Sequence, residues 1–186
     1  TVAGDGERGH RDGAAAQAEF SAPSAFAVLP DGRVLVTDQI NHCIRMLSAD
    51  LQQVSTVAGE GEECSKRYKK GYRNGTEGYR DGASAQAQFH YPCGLLLLPD
   101  GRVLVADTRR HSRIRVLSAD LQQVSTVAGD GAKGYRDGAA AQARFHFPRC
   151  AALLPCGRVV VADQANHRIR LLSADLQQVS TVAGDG

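Results

Sequence analysis

The chain has 186 residues, of which 22 are lysine or arginine and 20 are aspartate or glutamate, so its formal charge is only +2. So small a net charge does not by itself indicate a polyanionic partner. Glycines number 20 and aromatic residues make up 5%, a composition typical of an all-β protein with many turns. No apolar run reaches the roughly 18 residues that a membrane-spanning helix needs, so no membrane segment is expected.

The sequence repeats itself. The string LSADLQQVSTVAG occurs three times without change, at residues 47–59, 117–129 and 172–184. Each copy follows a DGAxAQAxF stretch, a proline, an apolar run, a P-x-G-R turn, a second apolar run that ends in Asp, and an I-R pair. Such internal repeats indicate a repeat architecture. The fragment TVAGDG also opens the chain, and the middle period is lengthened by an insertion around residues 62–75 and by one extra residue near Ser112.

Each repeat predicts four short strands. In the first repeat these are residues 25–29, 33–37, 43–48 and 52–58, and a Pro-Asp-Gly turn separates the first two. Four antiparallel strands in a unit of this size are typical of a propeller blade. The DGAxAQAxF stretch is interpreted as the connector between blades, and its phenylalanines are expected to fill the blade interfaces: Phe20, Phe89 and Phe145.

We therefore predict an all-β fold of three four-stranded antiparallel blades. The end strand of a preceding blade and a connector cover residues 1–23, and the blades cover 24–59, 92–129 and 148–186. The connectors between them cover 60–91, which includes the insertion, and 130–147. Closed propellers have about four to eight blades, so three blades are expected to form part of a larger, six-bladed ring. An isolated arc would expose two apolar faces, and self-association of two such arcs is one expectation.

The repeat carries a family resemblance. The pattern P-x-x-x-x-x-L-P-D-G-R-V-L-V-A-D-T-x-x-H-x-x-I-R resembles the NHL repeat, with Asn41-His42, Arg110-His111 and Asn166-His167 at the place of the Asn-His pair. The resemblance implies a six-bladed propeller of a type that serves as a platform for protein or RNA partners. It also implies a more distant relation to lactonase and amidating-lyase propellers, some of which use a metal ion.

Two sets of residues recur once per blade. Asp38, Asp107 and Asp163 end the second strand, and His42, His111 and His167 follow four residues later. Carboxylates converging on a cation, or three histidines on zinc, would form a metal site. We favour a structural role instead: each Asp bonds backbone amides in a turn, and each His packs at a strand hinge. No metal and no cofactor are expected.

The insertion is unique to the middle repeat. It places Lys66, Arg67, Lys69, Lys70 and Arg73 around Tyr68 and Tyr72. Basic residues interleaved with aromatic ones can contact phosphates and stack on bases, so this segment is the candidate partner-binding site. The alternative interpretation is a solvated loop that binds nothing.

The five cysteines occupy no position that the repeat requires and include no C-x-x-C pair. Free thiols are therefore expected, which weakly favours a reducing, cytoplasmic location. The repeats are nearly interchangeable, and no catalytic motif is present. The function predicted from the sequence is a non-catalytic scaffold for protein partners. RNA binding through the insertion and a metal-dependent hydrolase or lyase are the alternatives.

Overall fold

The structure is a computed structural model, and it describes residues 1–59, 79–109 and 111–184. These residues form three antiparallel sheets of five strands each, which we call sheets 1, 2 and 3. The strands of sheet 1 are β1 (Gly13–Ala14), β2 (Pro23–Val28), β3 (Val34–Asp38), β4 (Cys43–Leu47) and β5 (Gln53–Ala58). Those of sheet 2 are β6 (Gly82–Ala83), β7 (Pro92–Leu97), β8 (Val103–Asp107), β9 (Arg113–Leu117) and β10 (Gln123–Ala128). Those of sheet 3 are β11 (Gly138–Ala139), β12 (Pro148–Leu153), β13 (Val159–Asp163), β14 (Arg168–Leu172) and β15 (Gln178–Ala183).

Each sheet is a four-stranded meander with a short fifth strand. The strand order in sheet 1 is β1-β5-β4-β3-β2, and the other sheets repeat it. The four predicted strands agree with the observed ones within two residues. The prediction of four strands per blade missed the fifth, because the DGA of the connector adds two residues to the outer edge, with Gly13 opposite Val54. This glycine has a φ of 120°, which a residue with a Cβ rarely adopts.

The connectors are short and mostly irregular. Each contains one 3₁₀ turn, at Ala15–Gln17, Ser84–Gln86 and Ala140–Gln142. Its first residue is buried. Phe89 and Phe145, three residues after the second and third turns, pack between neighbouring sheets. These two connectors therefore contact the preceding sheet as well as their own.

The core lies between sheets. One buried cluster joins Leu35 and Ile44 of sheet 1 to Phe89 and Val105 of sheet 2. A second joins sheets 2 and 3 in the same way and contains Phe145. Phe89 and Phe145 are 1% and 0% exposed, whereas Phe20 lies on the outer side of sheet 1 and is only half-buried. Burial of apolar side chains between neighbouring sheets therefore holds the three sheets together.

The innermost strands β2, β7 and β12 lie side by side. At the first junction the Ser24 and Thr37 hydroxyls both donate to the Cys93 carbonyl oxygen, at 3.2 Å each. At the second, a Cβ on Gly94 would lie 2.3 Å from the Arg149 carbonyl oxygen. The backbones of β7 and β12 therefore approach so closely that glycine is needed there.

The interface phenylalanine yields a stability prediction. Phe89→Ala should lower the free energy of unfolding by about 3–5 kcal/mol, because it removes a ring from between two sheets and leaves a cavity. Phe89→Leu keeps most of the volume and should cost about half as much or less. Urea unfolding followed by circular dichroism measures both. Equal losses for the two variants would show that the ring does not fill the junction.

Candidate functional site

The aspartate that ends the third strand of each sheet is buried against an arginine. Arg45, Arg115 and Arg170 have fully buried side chains, and each donates to the aspartate of its own sheet. The N–O distances are 2.9 Å to Asp38, 3.0 Å to Asp107 and 2.7 Å to Asp163. A charged pair this deeply buried is stable only when its remaining donors and acceptors are also satisfied.

A second carboxylate, from the connector, completes each cluster. Arg45 contacts Asp12 at 2.5 Å, Arg115 contacts Asp81 at 2.7 Å, and Arg170 contacts Asp137 at 2.7 Å. The same arginines also donate to backbone carbonyl oxygens of the connector, in sheet 2 those of Gln88 and Arg80. Each cluster therefore fastens a connector to the centre of its sheet. We call these the arginine clusters.

The connector aspartates do not cap the 3₁₀ turns. The turn at Ala15–Gln17 has no side-chain cap. Instead Asp12 accepts hydrogen bonds from Arg45 and from the amide of Thr56, the latter at 2.9 Å. The Arg-Asp-Gly triplet thus anchors the connector to the outer strand as well as to the arginine.

Aromatic rings flank the guanidinium groups. The Arg115 guanidinium carbon lies 4.8 Å from the Tyr79 ring centre and 5.1 Å from that of Phe89. Tyr135 and Phe145 flank Arg170 at 5.0 and 4.9 Å. In sheet 1 His10 stands at the position of the tyrosine, and the Arg45 guanidinium carbon lies 4.9 Å from the centre of the Phe20 ring. Such stacking lowers the energetic cost of burying the cation.

The strand-end aspartates are bonded to several donors within the protein. Asp38 accepts hydrogen bonds from the Ser21 amide at 2.7 Å and from the Asn41 side chain at 2.8 Å, in addition to Arg45. Asp107 accepts the His90 amide at 2.6 Å. Burial raises the pKa of Asp38 and of Asp107, while the arginine and the donated hydrogen bonds act in the opposite direction. The predicted bonds to backbone amides are present, but the amides belong to the preceding connector and not to the next turn.

The candidate histidines are not equivalent. His42 and His167 have φ values of 56° and 53°, and the corresponding left-handed residue of sheet 2 is Ser112, with His111 one position earlier. His111 faces Tyr79, with 6.1 Å between the ring centres. Within residues 1–59, 79–109 and 111–184, no three His, Cys, Asp or Glu side chains are grouped closely enough to hold a metal ion.

His42 forms part of the junction between sheets 1 and 2. Its Nδ1 accepts the Tyr91 amide at 3.0 Å, and its ring stacks on His90 with 5.3 Å between centres. Ser112 makes the matching bond at the second junction, where its hydroxyl accepts the Phe147 amide at 3.4 Å. Burial, and after it the positive charge of Arg109, lowers the pKa of His42 from 6.5 to about 4. The ring is therefore neutral at physiological pH.

A groove runs over the loops that follow the third strands. It encloses about 580 Å³ and is lined by residues of all three sheets: Gln39, Tyr91, Thr108, Arg109, Phe147, Arg149, Gln164, Ala165 and His167. Arg109 and Arg149 are exposed, and the Arg109 guanidinium lies 4.4 Å from the centre of the Tyr91 ring. The lining contains two cations and no carboxylate. We call this the cationic groove.

The sequence prediction of a partner-binding insertion concerns Lys66, Arg67, Tyr68, Lys69, Lys70, Tyr72 and Arg73, which lie outside the described residues. Sequence reasoning missed the arginine clusters and the cationic groove. The I-R pair that recurs in every repeat was the available signal, because a charged residue kept within an otherwise apolar strand indicates a buried partner.

The chain was compared with known proteins. No family model matches it. Protein SUPPRESSOR OF QUENCHING 1, chloroplastic, of Arabidopsis thaliana is 28% identical over 164 residues, which cover 88% of this chain and 15% of that protein. NHL repeat-containing protein 2 of Gallus gallus is 38% identical over 85 residues, 46% of this chain and 11% of that protein. The chain thus spans a small part of either relative.

Among solved structures, a chain in the crystal structure of a nidogen/laminin complex superimposes with a TM-score of 0.59 at 16% identity. The match covers 91% of this chain and 51% of the other. The three sheets are β-propeller blades. The resemblance to NHL-repeat propellers is confirmed by the named relative and by this fold. Within the described residues no helix is long and apolar enough to cross a membrane.

The arginine clusters yield a second stability prediction. Arg115→Met should lower the free energy of unfolding by about 3–5 kcal/mol, because Asp107 remains buried without its cation. The matched control is Arg102→Met, which breaks the half-exposed pair between Arg102 and Asp100 and should cost less than about 1 kcal/mol. Chemical denaturation of both variants provides the comparison. A small loss for Arg115→Met would contradict the structural role of the cluster.

His42 yields a prediction about acid stability. Its pKa in the folded chain, about 4, is lower than its ordinary 6.5, so protonation favours the unfolded state. This contribution is fully present above pH 6.5 and falls by about 3 kcal/mol as the pH drops to about 4. His42→Asn tolerates the left-handed backbone and does not titrate in this range.

The stability of the parent chain should therefore decline more steeply between pH 7 and pH 4.5 than that of the variant. Denaturant titrations at several pH values measure how the free energy of unfolding of each protein changes with pH. The other titratable groups are the same in both proteins. Parallel slopes would refute the assignment.

Proposed function

We propose that the protein is a non-catalytic NHL-repeat propeller that acts as a scaffold for protein partners, and that the cationic groove is one of its binding surfaces. The observation that carries this proposal is the groove itself, which draws its lining from all three sheets. Loops held by rigid strands are where binding residues commonly lie.

The charges around the groove favour an acidic segment of a partner. Asp107 and Asp163 end the third strands of sheets 2 and 3 but are already paired with buried arginines. Their carboxylates therefore do not neutralise Arg109 and Arg149, which are exposed to solvent. A guanidinium binds a carboxylate through two parallel hydrogen bonds, so two such groups suit a pair of acidic side chains.

The remaining lining suits a peptide backbone. Gln39 and Gln164 carry side-chain amides, a group that can donate to and accept from main-chain groups. Tyr91 and Phe147 supply apolar surface on either side. Aromatic residues and arginine are the residue types that contribute most to protein interfaces.

The nearly balanced charge of the whole chain, 22 basic against 20 acidic residues, favours a protein over a nucleic acid as the ligand of the groove. RNA binding by the segment that contains Lys66 and Arg73 remains a separate prediction. The test below distinguishes the two.

The proposal predicts binding of a fluorescein-labelled peptide with alternating Glu and Gly residues, measured by fluorescence anisotropy. The double variant Arg109→Ala/Arg149→Ala should weaken binding at least tenfold. The control Arg102→Ala/Arg158→Ala removes two other arginines and should change it less than twofold. Absence of peptide binding, or equal effects of the two double variants, would overturn the proposal. A labelled oligouridine that binds more tightly than the peptide would favour the RNA alternative.

A further inference from the structure

Sheet 1 has an apolar face against which none of the described residues forms a sheet. A pocket of about 390 Å³ on this face is lined by apolar residues: Val2, Ala3, Phe20, Pro23, Phe26, Val34, Val36, Leu47 and Leu51. Phe26 and Val28 are 64% and 62% exposed. Phe20, Val34 and Leu51 of this face correspond to three residues of sheet 2 that are buried beneath sheet 1: Phe89, Val103 and Leu121. We call this surface the front face.

Sheet 3 exposes the face that in sheets 1 and 2 is covered by the next sheet. Ala27, Leu29, Leu35, Ile44 and Ala58 of sheet 1 are buried against sheet 2. Their counterparts in sheet 3 are partly or fully exposed: Ala152, Leu154, Val160, Ile169 and Ala183. Val182, beside them, is 53% exposed. We call this surface the back face.

The two open faces fit each other because both internal junctions are built from the same pair of surfaces. At each junction the back face of one sheet packs on the front face of the next. Four of the five residue pairs are identical between the back faces of sheets 1 and 3. In the fifth pair, Leu35 of sheet 1 corresponds to Val160 of sheet 3. The structure therefore contains two examples of the contact that the free faces can make.

We propose that the back face of a second copy of this chain docks on the front face of the first, and that two copies close head to tail into a ring of six sheets. Two such contacts complete the ring, and six blades lie within the range of closed propellers. Contacts between unlike surfaces give a ring when the rotation closes. The inference rests on the apolar end faces and is independent of the ligand of the cationic groove.

The polar atoms at the rim also match. His42 accepts the Tyr91 amide across the first junction, and Ser112 accepts the Phe147 amide across the second. In sheet 3 the residue at the place of the acceptors His42 and Ser112 is His167, which is exposed. In sheet 1 the residue at the place of the donors Tyr91 and Phe147 is Ala22, which is also exposed. His167 of one copy is therefore placed to accept the Ala22 amide of the other.

One segment already occupies part of the front face. The Gly4 amide donates to the Ala15 carbonyl oxygen at 2.8 Å, as Gly129 donates to Ala140 at 2.9 Å across the second junction. Residues 1–4 thus take the place that the end of the outer strand of a preceding sheet would fill. In the proposed ring, residues 181–184 of the second copy replace them. Both segments read TVAG, so the exchange conserves their hydrogen bonds.

A disulfide tests the contact directly. At the second junction Gly94 of sheet 2 lies against Arg149 of sheet 3. Cys150 holds the position of Gly94 in sheet 3, and Ser24 holds the position of Arg149 in sheet 1. Cys150 of one copy and Ser24 of the other should therefore be neighbours. Cys150 is an exposed free thiol. Because Ser24 contacts Cys93 of the same copy, the variant carries Cys93→Ser as well. Mild oxidation of the full chain carrying Ser24→Cys and Cys93→Ser should give a covalent dimer, and mass spectrometry should find the new cysteine linked to Cys150. Adding Cys150→Ser should abolish the product.

Sedimentation equilibrium of the unmodified chain provides the second measurement. We expect a reversible dimer that Ile169→Asp weakens at least tenfold, while circular dichroism shows that this exposed-site variant stays folded. Deletion of residues 1–4 should tighten the dimer several-fold, because it removes the competing segment. A monomer at every concentration, a dimer insensitive to Ile169→Asp, or a ladder of oxidised oligomers instead of a closed dimer would overturn the proposal.

Discussion

The arginine buried between two carboxylates is the interaction on which each sheet depends. Arg115 lies at the centre of sheet 2 and connects the strand-end Asp107, the connector Asp81 and two backbone carbonyl oxygens. The central position of the guanidinium fixes the path of the connector relative to the strands. The connector in turn presents Phe89 to the preceding sheet, so one polar cluster sets the geometry of an apolar junction.

The clusters also account for the electrostatic character of the surface nearby. Three buried arginines are each paired with two aspartates, and both carboxylates accept further backbone amides. Each cluster therefore holds one cation and two carboxylates, and the backbone amides donate to the carboxylates as well. Arginines outside the clusters, such as Arg109 and Arg149, keep their charge available to solvent and to ligands. The strand-end carboxylates of sheets 2 and 3 are bonded to buried arginines, and Arg109 and Arg149 are exposed to solvent.

Much of this architecture could be predicted from the sequence. The repeat, the P-x-G-R turns and the apolar runs placed the four main strands, and the recurrent phenylalanines predicted the junctions. The partner of the strand-end aspartate was harder to predict. Asp38 and Arg45 are separated by a turn and lie on adjacent antiparallel strands, and only the strand register brings them together. The expectation that the three histidines occupy equivalent positions was wrong. The extra residue of the middle repeat lies before Ser112, so Ser112 and not His111 takes the left-handed position that His42 and His167 hold in the other sheets. The cationic groove combines residues from three repeats, so no local motif marks it.

The unequal aromatic lining of the arginine clusters has an optical consequence. The chain has no tryptophan and five tyrosines, so its near-ultraviolet signal depends on tyrosine. Tyr79 and Tyr135 are each stacked on a buried guanidinium and hydrogen-bonded to an aspartate, in sheets 2 and 3 respectively. His10 holds the corresponding position in sheet 1 and contributes nothing at those wavelengths. The near-ultraviolet circular dichroism of Tyr79 and Tyr135 therefore reports on the clusters of sheets 2 and 3, and a tyrosine introduced at position 10 would add a direct reporter in the cluster of sheet 1.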